Sequence, residues 1–336
     1  MNDKNNCIPT ESSVSVKEWM ERICALKRQK NAIILAHYYT LPEIQQIADF
    51  TGDSLALSAQ AAETDAAILL FAGVHFMAET AKILAPEKKV LLPEPQAGCS
   101  LADSCTADRF AEFLKQYPDH TVVSYVNTSV GVKALTDICC TSGNAVEVIR
   151  SLPETQKIVF APDRNLGNYI QRITGRKNMV IWDGACEVHE KFSAEKILEM
   201  KRRYPQAKVL AHPECKEEVL AVADVVGSTA VLLKFTSSDP CDTFLVVTES
   251  GILFQMQREN PNKRFIPVPP AGVESGCNEC EYMKMVTLEK IYRTLLEESP
   301  EVILDEEIRR KAERSIQRML EIKRSTGGLV RSDVLI

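Results

Sequence analysis

No stretch of this chain approaches the roughly 20 consecutive apolar residues that a bilayer-spanning helix needs. Basic residues are nowhere clustered, and the net charge of −6 is mildly acidic. Both features argue against nucleic acid as the main partner, because a phosphate backbone calls for a cationic face. Residues 1–15 are polar and lack the apolar core of a secretory signal. Without such a signal, eleven cysteines point to reduced thiols or metal ligation rather than to a disulfide framework. The expected compartment is the cytoplasm, with no membrane partner. The compact C-x3-C-x2-C loop of radical iron–sulfur enzymes is also absent, and C-x-x-C occurs once, at Cys277 and Cys280.

What is present is an ordinary globular balance, 45% hydrophobic and 26% charged, over 336 residues. That length can build two or three core-sized units. Nine short apolar runs come in triplets: 31–37, 66–71 and 90–92; 121–127, 157–161 and 179–182; 207–212, 243–248 and 264–268. They are continuous rather than alternating, as in parallel strands covered on both faces. Helical periodicity lies between them, which gives βαβ order with right-handed crossovers.

A strand-turn-cysteine phrase follows the last run of each triplet. It leads to Gly98-Cys99, to Gly184-Ala185-Cys186, and to Gly276-Cys277-Asn278-Glu279-Cys280. Cys99, Cys186 and Cys280 lie 87 and 94 residues apart. A second marker has almost the same period: Asp49, Asp137 and Asp224 each stand five residues before a hydroxyl, at Ser54, Ser142 and Thr229. Self-similarity of this kind implies one supersecondary unit used three times. The expected fold class is α/β, three similar parallel-sheet α/β/α domains related by a pseudo-threefold axis around a central cavity. The expected divisions are a flexible 1–15, repeats over 16–118, 119–205 and 206–283, and C-terminal helices and tail over 284–336. Helices are expected at 16–30, 284–297 and 303–323, the last with a solvated charged face, and a mobile tail from Ser325.

Ligands of open parallel sheets bind beyond the carboxyl ends of the strands. There this chain places His37-Tyr38-Tyr39, Tyr125-Val126-Asn127 and His212-Pro213-Glu214, together with the three cysteines and the hydroxyls of Ser54, Ser142 and Thr229. A hydroxyl at a helix start can hold a carboxylate or phosphate, or simply cap the helix. Three thiolates from three units are one short of the four that close a structural zinc site or an iron–sulfur cluster. A [4Fe–4S] cluster held by three would leave one iron open as a Lewis acid. Cys277 stays open as an alternative third ligand, a redox partner of Cys280 or a bystander. The remaining cysteines, Cys7, Cys24, Cys105, Cys139, Cys140, Cys215 and Cys241, read as small hydrophobes. His75, His120 and His189 read as structural or surface residues, and Asp49, Asp137 and Asp224 as structural.

The run Gly73-Val74-His75-Phe76-Met77-Ala78-Glu79-Thr80-Ala81-Lys82 has a familiar wording, as do Ala97-Gly98-Cys99-Ser100-Leu101-Ala102, Cys140-Thr141-Ser142-Gly143-Asn144-Ala145, Pro162-Asp163-Arg164-Asn165-Leu166-Gly167, His212-Pro213-Glu214-Cys215 and Gly227-Ser228-Thr229. Together they resemble the quinolinate synthase family over about residues 30–290. The resemblance implies three α/β/α domains and condensation of iminoaspartate with dihydroxyacetone phosphate. The products would be quinolinate, phosphate and two waters, for NAD biosynthesis. It implies a [4Fe–4S] cluster on Cys99, Cys186 and Cys280, the last preceding Glu281-Tyr282-Met283, where the family often has Pro at position 281. It carries the catalytic tyrosine to Tyr39, with Tyr38 the weaker match, and further catalytic roles to His212 and Glu214. Substrate-holding roles pass to His37, Ser54, Tyr125, Asn127, Ser142, His212, Glu214 and Thr229, with Ser228 adjacent. In that reading Tyr39 and Glu214 move protons while His212 or His37 polarises a carbonyl or carboxylate. An L-aspartate-oxidising enzyme is the implied upstream partner. A homodimer is compatible with the sequence, which does not set the oligomeric state. The rivals are another [4Fe–4S] hydro-lyase, a non-catalytic iron–sulfur redox protein, and a structural zinc protein.

Overall fold

The apolar runs pair with one another in parallel and in triplets, and each triplet recruits a fourth short strand. A computed structural model describes residues 14–325. Cys7, the polar segment before Val14 and the expected mobile tail beyond Ser325 lie outside the described residues. The first sheet contains β1 (Ala32–His37), β2 (Phe50–Gly52), β3 (Ile68–Ala72) and β4 (Lys89–Leu91) in the order β2-β1-β3-β4. The second contains β5 (Thr121–Tyr125), β6 (Ile138–Cys140), β7 (Ile158–Ala161) and β8 (Met179–Ile181) in the order β6-β5-β7-β8. The third contains β9 (Lys208–Ala211), β10 (Val225–Val226), β11 (Thr243–Val247) and β12 (Arg264–Pro267) in the order β10-β9-β11-β12. Every pairing within these sheets is parallel. The protein is therefore an α/β fold of three similar four-stranded units.

Three strands were not anticipated. β2, β6 and β10 are two or three residues long and lie between the aspartate and the hydroxyl of the second repeat marker. The aspartates account for them. Asp49 N–H donates to the Ile34 carbonyl at 2.9 Å, and its Oδ2 accepts from Ile34 N–H at 2.7 Å. Asp137 does the same to Val122 (3.0 and 2.8 Å), and Asp224 to Val209 (2.9 and 2.7 Å). Each carboxylate stands in for a ladder residue and starts an edge strand on the first strand of its sheet. Their role is structural, as expected.

The helix Val16–Lys30 is capped by Ser15, whose hydroxyl accepts from Glu18 N–H, and it packs on Leu288–Glu297 through Trp19 and Tyr292, rings 5.2 Å apart. The last helix spans Glu306–Ser325, so it starts three residues later than the expected 303. Ile308 N–H donates to Asp305 Oδ1 at 3.0 Å, which makes Asp305 the cap rather than a first-turn residue. Its charged residues do form a solvated face, with Glu306–Arg310 and Glu307–Lys311 pairs. Its other face buries Ala312, Ile316 and Met319 against Ile83 and Cys139, and so ties the first unit to the second. The second and third units share one core, in which Val123, Phe160 and Ile197 are clustered with Val209 and Leu245. Fully burying one such side chain contributes roughly 1.5–3 kcal/mol. No described helix is long and apolar enough to cross a membrane.

Replacing Asp137 with Ala leaves the buried Val122 N–H without its partner, at a cost of about 1–3 kcal/mol. The denaturation midpoint should fall while the slope m, and the activity per folded molecule, stay at the parent values. A loss of activity without a shift in midpoint would assign this aspartate to the site instead.

Candidate active site

All three sheets end at one cavity, whose enclosed space is about 70 Å³. Cys99, Cys186 and Cys280 line it, one from each unit. Their local settings match. Each is the residue immediately before a four-residue helix, Ser100–Asp103, Glu187–Glu190 and Glu281–Lys284. Burial pushes the Cys99 thiol up to about 12 and that of Cys280 up to about 11, and raises that of Cys186 well above the usual thiol range. First-turn N–H groups oppose burial in all three: Ala102 and Leu101 for Cys99, His189 for Cys186, Met283 and Tyr282 for Cys280. Left alone, such thiols stay protonated; a cation at their centre is what would make them thiolates. Cys277 is exposed and is not on the cavity wall. Cys105, Cys139, Cys140 and Cys215 are buried away from that wall, and Cys24 and Cys241 are half-buried.

The strand ends supply the polar wall. Tyr39 N–H donates to His37 Nδ1 at 3.2 Å, and Glu214 N–H donates to His212 Nδ1 at 3.3 Å. With Nδ1 an acceptor, the neutral ring carries its proton on Nε2. Burial lowers each from 6.5 to about 3, outweighing the opposing pull of Glu214, so both rings are neutral at neutral pH. Glu214 is also buried, which works to raise it, yet His212, His189 and the Tyr125 hydroxyl together hold it at about 2. His189 Nδ1 lies 2.9 Å from Glu214 Oε2 and 3.2 Å from Cys186 Sγ. Its Nε2 lies 3.0 Å from Thr248 Oγ1, which is 2.9 Å from the Tyr39 hydroxyl. Burial raises the Tyr39 and Tyr125 phenols well above their usual range, so both stay protonated. Tyr125 is also hydrogen-bonded to Ser142. Asn127 adds a buried Oδ1 that has no partner in the protein. Tyr38 is not on the cavity wall, whereas Tyr39 is.

The hydroxyls of the repeat are not the caps. Asp53 caps the helix Ser54–Glu63 by accepting from Ala56 N–H at 3.0 Å, and Ser228 caps Thr229–Ser238 by accepting from Val231 N–H at 3.4 Å. Ser142 lies in a turn before the helix Ala145–Ser151 rather than at its start. Asn144 closes that turn, its Oδ1 accepting from Thr141 N–H at 2.7 Å. Ser54, Ser142 and Thr229, one from each unit, all line the cavity.

The quinolinate synthetase A protein family model matches residues 21–321. The chain belongs to the quinolinate synthase family. It is 58% identical to the quinolinate synthase of Thermosynechococcus vestitus over 297 residues, which cover 88% of this chain and 93% of that one. It is 56% identical to that of Gloeothece citriformis over 299 residues, 89% and 92% of the two chains. With that of Microcystis aeruginosa the identity is 53% over 314 residues, 94% and 98%. The protein is thus an enzyme of the quinolinate synthase type.

Within this synthase fold the cavity also holds residues that sequence reasoning passed over. His189, read as structural or surface, is 2% exposed and central to the polar wall. Its only signal was its place three residues after Cys186, one turn along the same short helix. Thr248 and Glu249 follow β11, the strand whose counterparts in the other units are followed by Gly73 and Pro162, so the repeat gave no hint of them.

The two depressed histidines imply acid sensitivity. Between pH 6.5 and about 3 the unfolded chain binds these two protons and the folded protein does not, so stability falls as pH falls. Each histidine contributes up to about 1.4 kcal/mol per pH unit in that window. Glu214, held at about 2, adds to the loss only below about 4.5. Denaturation of the His37→Asn variant as a function of pH should show a slope smaller by about one proton; an unchanged slope would mean that His37 is charged in the fold.

Proposed function

We propose that this chain condenses iminoaspartate with dihydroxyacetone phosphate to give quinolinate, phosphate and two waters, with a [4Fe–4S] cluster on Cys99, Cys186 and Cys280. The observation that carries this reading is the meeting of three cysteine-led helix starts, one per unit, on the wall of a single cavity. Three half-buried cysteines on the cavity wall, each met by first-turn N–H groups, fit a cationic cluster, and the exposed Cys277, off that wall, does not. When bound, such a cluster offers one iron without a cysteine ligand, a Lewis acid for a substrate hydroxyl or carboxylate.

The protein's own groups account for the rest. The two substrates bring two carboxylates and a phosphate, and the hydroxyls of Ser54, Ser142 and Thr229 stand at three points around the cavity to receive them. His37 and His212, neutral with Nε2–H as the remaining donor, polarise a carbonyl or carboxylate without adding charge. Glu214, ionised and hydrogen-bonded, is the proton acceptor; Tyr39, protonated and coupled through Thr248 and His189 to Glu214, is the donor that faces it. Asn127 offers its unpartnered Oδ1 to a substrate donor. Enclosure by three walls excludes water from an imine that water would hydrolyse. An L-aspartate-oxidising enzyme would supply that imine, in a reducing cytoplasm, and the divisions near residues 118 and 205 mark the three units.

Anaerobic assay of quinolinate from the imine and the triose phosphate tests the reaction and separates it from a hydro-lyase acting on a stable hydroxy acid. Glu214→Gln should lower turnover by about 10²-fold or more, the usual weight of general acid–base catalysis, with the cluster absorbance intact. Loss of the colour as well would remove Glu214 from proton transfer.

A further inference from the structure

One ion pair at the edge of the cavity has no part in the scheme above, and its carboxylate is fully buried while its ammonium side chain is 17% exposed. Glu249 is 0% exposed, on the turn after β11. Its Oε1 lies 2.8 Å from Lys284 Nζ and accepts from Cys280 N–H at 3.2 Å, and its Oε2 accepts from Gly251 N–H at 2.7 Å. Lys284 closes the short helix that Cys280 opens, and its Nζ donates to the Tyr39 carbonyl at 2.7 Å. The result is a closed ring: Cys280 N–H to Glu249, Glu249 to Lys284, and Lys284 through its own helix back to Cys280. A branch of that ring grips the main chain of Tyr39.

The same turn is pressed onto Tyr39 from the other side. A Cβ at Gly251 would sit 2.7 Å from Tyr39 Cα and 2.8 Å from the Tyr38 carbonyl oxygen. Gln45 Nε2 donates to the carbonyls of Tyr38 (2.9 Å), Thr40 (2.9 Å) and Gly251 (3.1 Å), and holds the two segments against each other. Thr248, one residue earlier, touches the Tyr39 hydroxyl. Tyr39 is thus held at both ends by one turn of the third unit, and Glu249 joins that turn to the Cys280 helix.

We propose that Glu249 and Lys284 are positioning residues of the synthase reaction, a buried ion pair that keeps the Tyr39 main chain and the Cys280 turn in fixed register. A buried pair contributes little to stability compared with apolar side chains of the same volume. Apolar replacements, however, could not hold the Tyr39 carbonyl and the Cys280 N–H at once. Small misplacement of a catalytic group is costly, on the order of 10²-fold for about 1 Å. The inference rests on the reading of Tyr39 as a proton-transfer residue, and the test separates the two.

The experiment compares Lys284→Met, Lys284→Arg, Glu249→Gln and Tyr39→Phe, each purified anaerobically and assayed per loaded cluster. Lys284→Met should keep its iron content and lower kcat by about tenfold or more, with KM for the triose phosphate changed less than about threefold. Lys284→Arg, which can still reach both oxygens, should recover most of the loss. Wild-type kcat in Lys284→Met with only a lower melting temperature would reduce the pair to a structural role and overturn the proposal; so would a kcat loss that Arg leaves uncorrected. If Lys284→Met does not fold, Glu249→Gln, which keeps the volume and an acceptor, carries the same thresholds. A fully active Tyr39→Phe would sink the role of Tyr39 itself. A slow Tyr39→Phe beside a fully active Lys284→Met would sink the positioning proposal alone.

Discussion

Three cysteines on the wall of one cavity, each just before a short helix, are the constraint around which the molecule is arranged. Burial raises all three, and only first-turn N–H groups and a central cation can favour their thiolate forms. No single βαβ unit can present three such helix starts to one point. Three copies facing a common cavity can, and the shared order of each sheet, 2-1-3-4 in its own numbering, delivers one cysteine after each fourth strand. The same repetition places a histidine or tyrosine at the end of each first strand and a hydroxyl beyond each second strand. A pseudo-symmetric shell thereby surrounds an asymmetric set of side chains.

The asymmetry is where the chemistry can arise. His37 and His212 share an identical i-to-i+2 contact that fixes their tautomer, but only His212 is followed by a carboxylate. Glu214 stays ionised despite its burial because His212, His189 and the Tyr125 hydroxyl all favour its charged form. Tyr39 reaches that carboxylate through Thr248 and His189. One turn of the third unit, Thr248 to Gly251, touches the tyrosine from the first unit, the histidine from the second and the cysteine of its own unit. Contacts of this kind make the three units one site, while the shared core of the second and third and the bridging helix Glu306–Ser325 make them one body.

Much of this was legible in the residues. Nine strands announced themselves as continuous apolar runs, and the period of Cys99, Cys186 and Cys280 showed which cysteines belong together. β2, β6 and β10 escaped because two or three residues carry no periodicity, and their pairing depends on an aspartate that mimics a ladder group. Ser54, Ser142 and Thr229 were located correctly as cavity residues, but the caps turned out to be their neighbours Asp53 and Ser228. His189, Glu249 and Lys284 escaped for a different reason. None has a counterpart in the other units, so the repeat that exposed the cysteines was silent about them, and in sequence such a charge looks like any surface residue.

The central claim is that Cys99, Cys186 and Cys280, and no fourth cysteine, hold one iron–sulfur cluster. Anaerobic iron and sulfide analysis of the protein beside its Cys99→Ser, Cys186→Ser, Cys280→Ser and Cys277→Ser variants tests it most directly. The account predicts a brown protein with about four irons per chain, loss of the cluster in the first three variants, and retention in Cys277→Ser. A colourless protein that carries zinc, or a cluster that needs Cys277 and survives without Cys280, would contradict it.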